Sequence, residues 1–171
     1  STIENRYLRV KSINIGACLY EVYDKQKKIN LILNLGSIEN YSNKNFYVGA
    51  TCGRYAGRIS NSRFKIKKKI YKLDGNEGIN TLHGGKIGFD RLEWKIHHYS
   101  KTKIIYQLLS KNLDQGFPGD LNSQCVFEIK DKSLFIKYQY KSNRLTHVSL
   151  TNHSYWNLNK NKKEKIFNHN L

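Results

Sequence analysis

The stretch TNHSYW, residues 151–156, sets an imidazole, a phenol, hydroxyls and an amide among strand-forming aromatics. Imidazole is the side chain best suited to give and take a proton near neutral pH. Successive side chains of a strand alternate between its faces, so Ser149, Thr151, His153, Tyr155 and Asn157 share one side. Val148, Leu150, Trp156 and Leu158 take the other, and a core face is satisfied without His153. His153 is then either a proton-transfer group facing a polar ligand or a histidine bonded to a neighbouring strand. A second imidazole lies in Thr81-Leu82-His83-Gly84-Gly85, where two glycines permit a sharp turn and close backbone approach to a ligand. It sits in the Gly- and Asn-rich stretch 74–90, the kind of loop in which binding residues concentrate, although a histidine in an ordinary turn reads the same way.

A third candidate segment is GATCGRYAGRISNSRF, residues 49–64, which spaces Arg54, Arg58 and Arg63 among small residues. The planar donor fork of Arg58 suits vicinal hydroxyls or a carboxylate, and a solvated surface arginine is the competing reading. The GxxxG spacing of Gly53 and Gly57 lacks the Lys-Ser/Thr that completes a phosphate loop. QGFPGD, residues 115–120, is turn chemistry: Pro presets φ and Gly permits positive φ. Cys18, Cys52 and Cys125 are widely spaced with no CxxC pair, which speaks for buried thiols against a disulfide framework or a zinc site. No His, Cys or carboxylate set has metal-ligand spacing, so no metal is expected, and no GxSxG nucleophile motif occurs.

The elements that must position these residues read as strands separated by turn signals. Strands are expected over 13–23, 29–35, 92–98, 103–110, 123–130, 133–140 and 146–158. Asp24–Lys28 and Lys130–Ser133 read as turns, Gly36–Asn45 as a loop or short helix, and Asp74–Asp90 as a long loop. Phe64–Leu73 fits a hairpin with its tip near Lys67-Lys68. No segment sustains a 3.6-residue apolar period, and there are no internal repeats. The class is all-β, a sandwich or barrel.

Composition agrees. In 171 residues, 39% are hydrophobic and 12% aromatic, enough for a packed core, and the 12 Tyr and 7 Phe favour strands. The net charge of +17 raises nucleic-acid binding, but the lysines are spread along the chain in a general Lys/Asn/Ile enrichment, so no nucleic-acid partner is expected. No apolar run approaches the roughly 18–20 residues of a membrane span. The N-terminal STIENRYLRVK lacks a signal-peptide layout, which makes a cytoplasmic protein the expectation.

Taken in order, YVGATCGRYAGRISNSRF (47–64), NTLHGGKIGFDRLEW (80–94), GFPGDL (116–121) and VSLTNHSYWNL (148–158) resemble the aldose 1-epimerase (galactose mutarotase) family, and IGACLYEVYDK (15–25) fits its first strands. The resemblance covers nearly the whole chain. It implies an antiparallel β-sandwich of the galactose mutarotase type, with residues 1–171 as a single partial domain corresponding to the N-terminal half. It also implies interconversion of the α and β anomers of an aldohexose without a cofactor. The partner it implies is a monosaccharide, galactose or glucose.

By that resemblance His153 is the general acid, His83 a second partner of the ring oxygen or a hydroxyl, and Arg58 a sugar-binding donor. Tyr155 lines the same pocket. The chain departs from the family at Gly57, where members usually carry Asn in an ANRI run, and at the Lys67-Lys68 tip, where they commonly carry Asp-Gly. The family's catalytic glutamate and a sugar-binding aspartate are expected beyond Leu171, and Asp90, Glu93 and Asp120 do not match them. The alternative is a non-catalytic sugar-binding relative or a truncated, inactive one.

Overall fold

A computed structural model describes residues 1–41 and 47–170. Two four-stranded antiparallel sheets dominate it. The first runs in order β1 (Thr2–Glu4), β2 (Leu8–Ile13), β3 (Cys18–Asp24) and β4 (Ile29–Asn30). Along β2 the residues alternate strictly between buried Leu8, Val10 and Ser12 and the half-exposed Arg9, Lys11 and Ile13. Between the sheets lie short pieces: β5 (Thr51–Cys52), β6 (Arg58–Ile59), β7 (Arg63–Ile66), β8 (Lys69–Lys72) and β9 (Thr81–Leu82). The second sheet is a meander of β10 (Lys95–Tyr99), β11 (Lys103–Ser110), β12 (Leu121–Lys130) and β13 (Ser133–Ser142). A last short strand, β14 (Thr151–Asn152), pairs with β5.

The two large sheets share one core. Ile3, Val10, Leu19 and Val22 from the first meet Ile104, Tyr106, Phe127 and Ile129 from the second. A buried polar group here needs a partner, and Ser12 Oγ lies 2.8 Å from the Tyr106 hydroxyl. The expected all-β antiparallel sandwich is therefore the observed fold, with one parallel bridge between Tyr55 and Ser149. Cys18, Cys52 and Cys125 are all buried and none is in a disulfide. Burial pushes the Cys125 thiol up to about 12, which keeps it protonated and unreactive.

Several boundaries differ from the sequence reading, each for a local reason. The strand expected over 13–23 is instead the end of β2 and most of β3 around a tight turn at Gly16 and Ala17, both at positive φ. The hairpin at 64–73 and its Lys67-Lys68 tip are as expected, with Lys67 at positive φ. Only Ile29–Asn30 of the segment 29–35 joins a ladder, because the Asn30 amide turns back onto Ile32. The loop 74–90 contains β9 and a Glu77–Asn80 bridge. The expected loop or short helix at 36–45 lies partly outside the described residues, and its described part carries a 3-10 turn at Glu39–Tyr41.

The largest correction is to 146–158. It is not one continuous strand. Beyond β14 it makes single bridges, Ser149 to Tyr55 and Trp156 to Ile32. The Asn152 side chain accepts the Ser154 N–H and bends the chain there. Val148 and Leu150 do pack on the core, but Trp156 and Leu158 stand 43% and 48% exposed, so the apolar face assigned to them is not buried in this chain. Among the described residues no helix is long and apolar enough to cross a membrane.

Candidate active site

β5, β6, β9 and β14 converge beside the shared core and bring the sequence candidates together. His153 directly follows β14. The His153 N–H donates to the Ala50 carbonyl at 2.8 Å, and the Gly49 N–H donates to the His153 carbonyl at 3.0 Å. The Asn152 amide donates to the Gly49 carbonyl at 2.9 Å, so three bonds tie the backbone around the imidazole to Gly49 and Ala50.

His83 arrives from β9. Arg58 pairs with Leu82 across β6 and β9, and the His83 N–H donates to the Gly57 carbonyl at 3.0 Å. The Gly57 N–H returns a bond to His83 Nδ1 at 3.1 Å. A nitrogen that accepts cannot carry the proton, so the neutral ring bears it on Nε2. Burial, then the neighbouring His153 and Arg58, hold His83 below the usual histidine range, with Glu77 opposing. The neutral ring with its proton on Nε2 is thus the favoured form. Gly84 explains the glycines of the motif: its φ is +101°, and a Cβ there would meet the Gly53 carbonyl oxygen at 1.8 Å.

The two imidazoles lie with ring centroids 5.4 Å apart and planes near perpendicular. The Tyr155 ring centroid stands 5.1 Å from that of His153. Tyr47 completes the cluster, 4.6 Å from His83 edge to face and 5.7 Å from His153 in a stack. Burial raises the Tyr47 phenol, which stays protonated. Among the described residues, His83 Nε2 and both ring nitrogens of His153 have no hydrogen-bond partner. The result is a small cluster of two imidazoles and two phenols whose rings lie 4.6–5.7 Å from their neighbours.

Arg58 lies next to the pair but on an exposed edge. Its Nε and Nη2 donate to the two oxygens of Glu77, each at 2.6 Å. That bond lowers the Glu77 carboxyl below its ordinary value and raises Arg58. Arg54 is a different case, 2% exposed, with its guanidinium donating to the carbonyls of Ser110, Lys111, Pro118 and Gly119. It is a clasp that fixes the GFPG turn. Gln115 of that turn accepts the Ile87 N–H at 3.1 Å, so the turn in its place supports the loop that follows His83. The reading of QGFPGD as structural turn chemistry accords with these bonds. Among the described residues no three His, Cys, Asp or Glu side chains are grouped to hold a metal ion.

Tyr47, Asn76 and Glu77 were not singled out from sequence. Tyr47 opened a quoted motif but carried no spacing signal of its own. Asn76 and Glu77 looked like two residues of a polar loop, and only the register of β6 with β9 reveals what they face.

The chain has relatives among known proteins. The family model described as aldose 1-epimerase matches residues 1–171. The chain is 34% identical to an aldose 1-epimerase of Haemophilus influenzae over 92% of its own length and 47% of that protein. It is 33% identical to the galactose mutarotase of Bos taurus over 99% of its length and 50% of that protein. In three dimensions it resembles an aldose epimerase homologue from C. elegans, with a TM-score of 0.86 at 29% identity, covering 92% of this chain and 50% of that one. A galactose 1-epimerase from Lactobacillus acidophilus gives a TM-score of 0.83 at 32% identity, covering 92% and 48%. The chain thus spans about half the length of the curated relatives it matches. With that model matched from end to end and the same fold in solved relatives, the chain belongs to the aldose 1-epimerase family.

Proposed function

We propose that this chain supplies the proton-donating side of a mutarotase site, which interconverts the α and β anomers of an aldohexose such as galactose or glucose. The observation that carries this reading is the imidazole pair: rings 5.4 Å apart, with His83 fixed by the Gly57 N–H and the remaining nitrogens open. A base removes the proton of the C1 hydroxyl, the C1–O5 bond breaks, and C1 becomes a carbonyl carbon. O5 takes the proton carried by His153. Rotation about C1–C2 presents the other carbonyl face, and the steps reverse to close the opposite anomer. His83 serves as a neutral donor through Nε2–H to a sugar oxygen near that centre. Arg58 donates from its outward nitrogens to hydroxyls, and Tyr155 forms a wall. A neutral sugar is recognised by directed hydrogen bonds of this kind on an apolar backing.

The base is not assigned to a residue of this chain. Glu77, the carboxylate that acts on His83, is committed to Arg58. The base belongs, on this reading, to the half of the fold that relatives have beyond this length. The buried thiols of Cys18, Cys52 and Cys125 suit a reducing, cytoplasmic setting for the reaction.

Polarimetry on freshly dissolved α-galactose and α-glucose tests the reading in the full-length protein. A rate of approach to the equilibrium rotation well above that of buffer is expected. No rate gain, with heat of galactose binding still seen by calorimetry, would establish a non-catalytic sugar-binding protein instead.

A further inference from the structure

We propose that Glu77 is a positioning residue, which aims Arg58 at the sugar and holds it in register with His83. This rests on the mutarotase reading above. Three observations carry it.

The first is the geometry of the ion pair. Both oxygens of Glu77 engage the Nε edge of Arg58, through Nε and Nη2 at 2.6 Å each. A guanidinium is a rigid planar fork, so fixing one edge fixes the direction of the other. Among the described residues Nη1 makes no hydrogen bond, and it is this end that is left to reach a ligand.

The second is exposure. The Arg58 side chain is 63% exposed and that of Glu77 35%. Surface ion pairs of this kind do little for stability, since water screens them and two flexible stems must be held still. A pair that is bidentate yet weakly stabilising is better accounted for by orientation than by folding.

The third is the neighbour. Asn76 precedes Glu77 in the same turn and grips the other side of the site. Its Oδ1 accepts the Leu82 N–H at 2.7 Å, while its Nδ2 donates to the carbonyls of Leu82 and Gly85 at 3.0 and 2.9 Å. Those two residues flank His83-Gly84. The turn is closed on itself by the Glu77 N–H to the Asn80 carbonyl at 3.1 Å and the Asn80 N–H to the Glu77 carbonyl at 2.9 Å. One rigid turn therefore holds the His83 loop with its first residue and Arg58 with its second. The carboxylate also offsets the cation beside His83, whose proton affinity Arg58 lowers and Glu77 raises.

The test is a cycle of Glu77→Ala, Arg58→Ala and the double variant in the full-length protein, with Glu77→Gln as a same-size control. KM and kcat for α-galactose are read by polarimetry and folding by melting temperature. Losing one aimed, charge-assisted contact predicts a KM raised about tenfold in Glu77→Ala, with kcat within about twofold of wild type. In the Arg58→Ala background the same change leaves KM where it was. An unchanged KM in both Glu77 variants overturns the proposal, as does an equal rise with and without Arg58. A loss in kcat alone overturns it too, by placing Glu77 in the chemistry. A wild type without mutarotase activity overturns the reading on which the proposal rests.

Discussion

Gly84 is where the site depends most on a missing side chain. Its φ is +101°, and a Cβ would lie 1.8 Å from the Gly53 oxygen, 2.4 Å from the Gly53 carbonyl carbon and 2.6 Å from the Arg54 nitrogen. All three are backbone atoms, which cannot swing aside as a side chain can. Gly57 provides the matched control: its φ is +94°, with nothing within 4 Å of a Cβ. Alanine at either position is forced into left-handed backbone at roughly 1–2 kcal/mol. At Gly84 the overlap adds about 1–3 kcal/mol more, the scale of overpacking. The Gly53 carbonyl that would be displaced accepts the Phe89 N–H at 3.0 Å, and Phe89 in turn accepts from Trp94 Nε1 at 3.0 Å. Gly84→Ala should therefore cost about 2–5 kcal/mol and Gly57→Ala about 1–2 kcal/mol. Urea denaturation of the full-length protein, followed by tryptophan fluorescence, reads both. If the two variants fall within about 0.5 kcal/mol of each other, the close approach of the His83 loop to Gly53 is refuted.

Arg54→Met should be among the most damaging changes, at about 3 kcal/mol or more, because it strips a buried donor from four backbone carbonyls at once. Denaturation midpoints measure it, and a loss below about 1 kcal/mol would contradict the clasp. For His83 the fold favours the neutral ring, since burial, His153 and Arg58 lower its proton affinity. The unfolded chain takes up that proton first as pH falls, so the contribution is present above about pH 6.5 and is lost below it. The melting temperature should drop more steeply between about pH 7.5 and 5.5 for wild type than for His83→Gln, which cannot titrate, and parallel curves would count against the buried neutral imidazole.

The second sheet was legible because its signals are local. Lys103–Ser110 alternates between buried Ile104, Tyr106 and Leu108 and more exposed partners, and β12 and β13 are long strands joined by a short turn. Hairpin pairing needs only neighbours in sequence, as the Lys67-Lys68 tip shows. Segment 146–158 was misread because its pairing is not local. Its partners are Tyr55, Cys52, Thr51 and Ile32, scattered over the first third of the chain. Apolar alternation promised burial for Trp156 and Leu158 that no described element of this chain provides. Of the site, His153, His83, Arg58 and Tyr155 were all named from residue type and motif, and they do lie close together. What holds them was not visible. Glu77 and Asn76 bond across a register that a sequence cannot display, and Tyr47 contacts the imidazoles through rings brought in from separate loops.

In the proposed reaction His153 delivers a proton to the opening sugar ring. The most direct test is the polarimetric kcat of His153→Ala against wild type, in full-length protein shown by circular dichroism to be folded. A drop of about 10²–10⁴-fold is predicted, the range for a lost general acid. A folded variant that turns over α-galactose within about threefold of wild type contradicts the assignment, because a general acid cannot be removed at so small a cost.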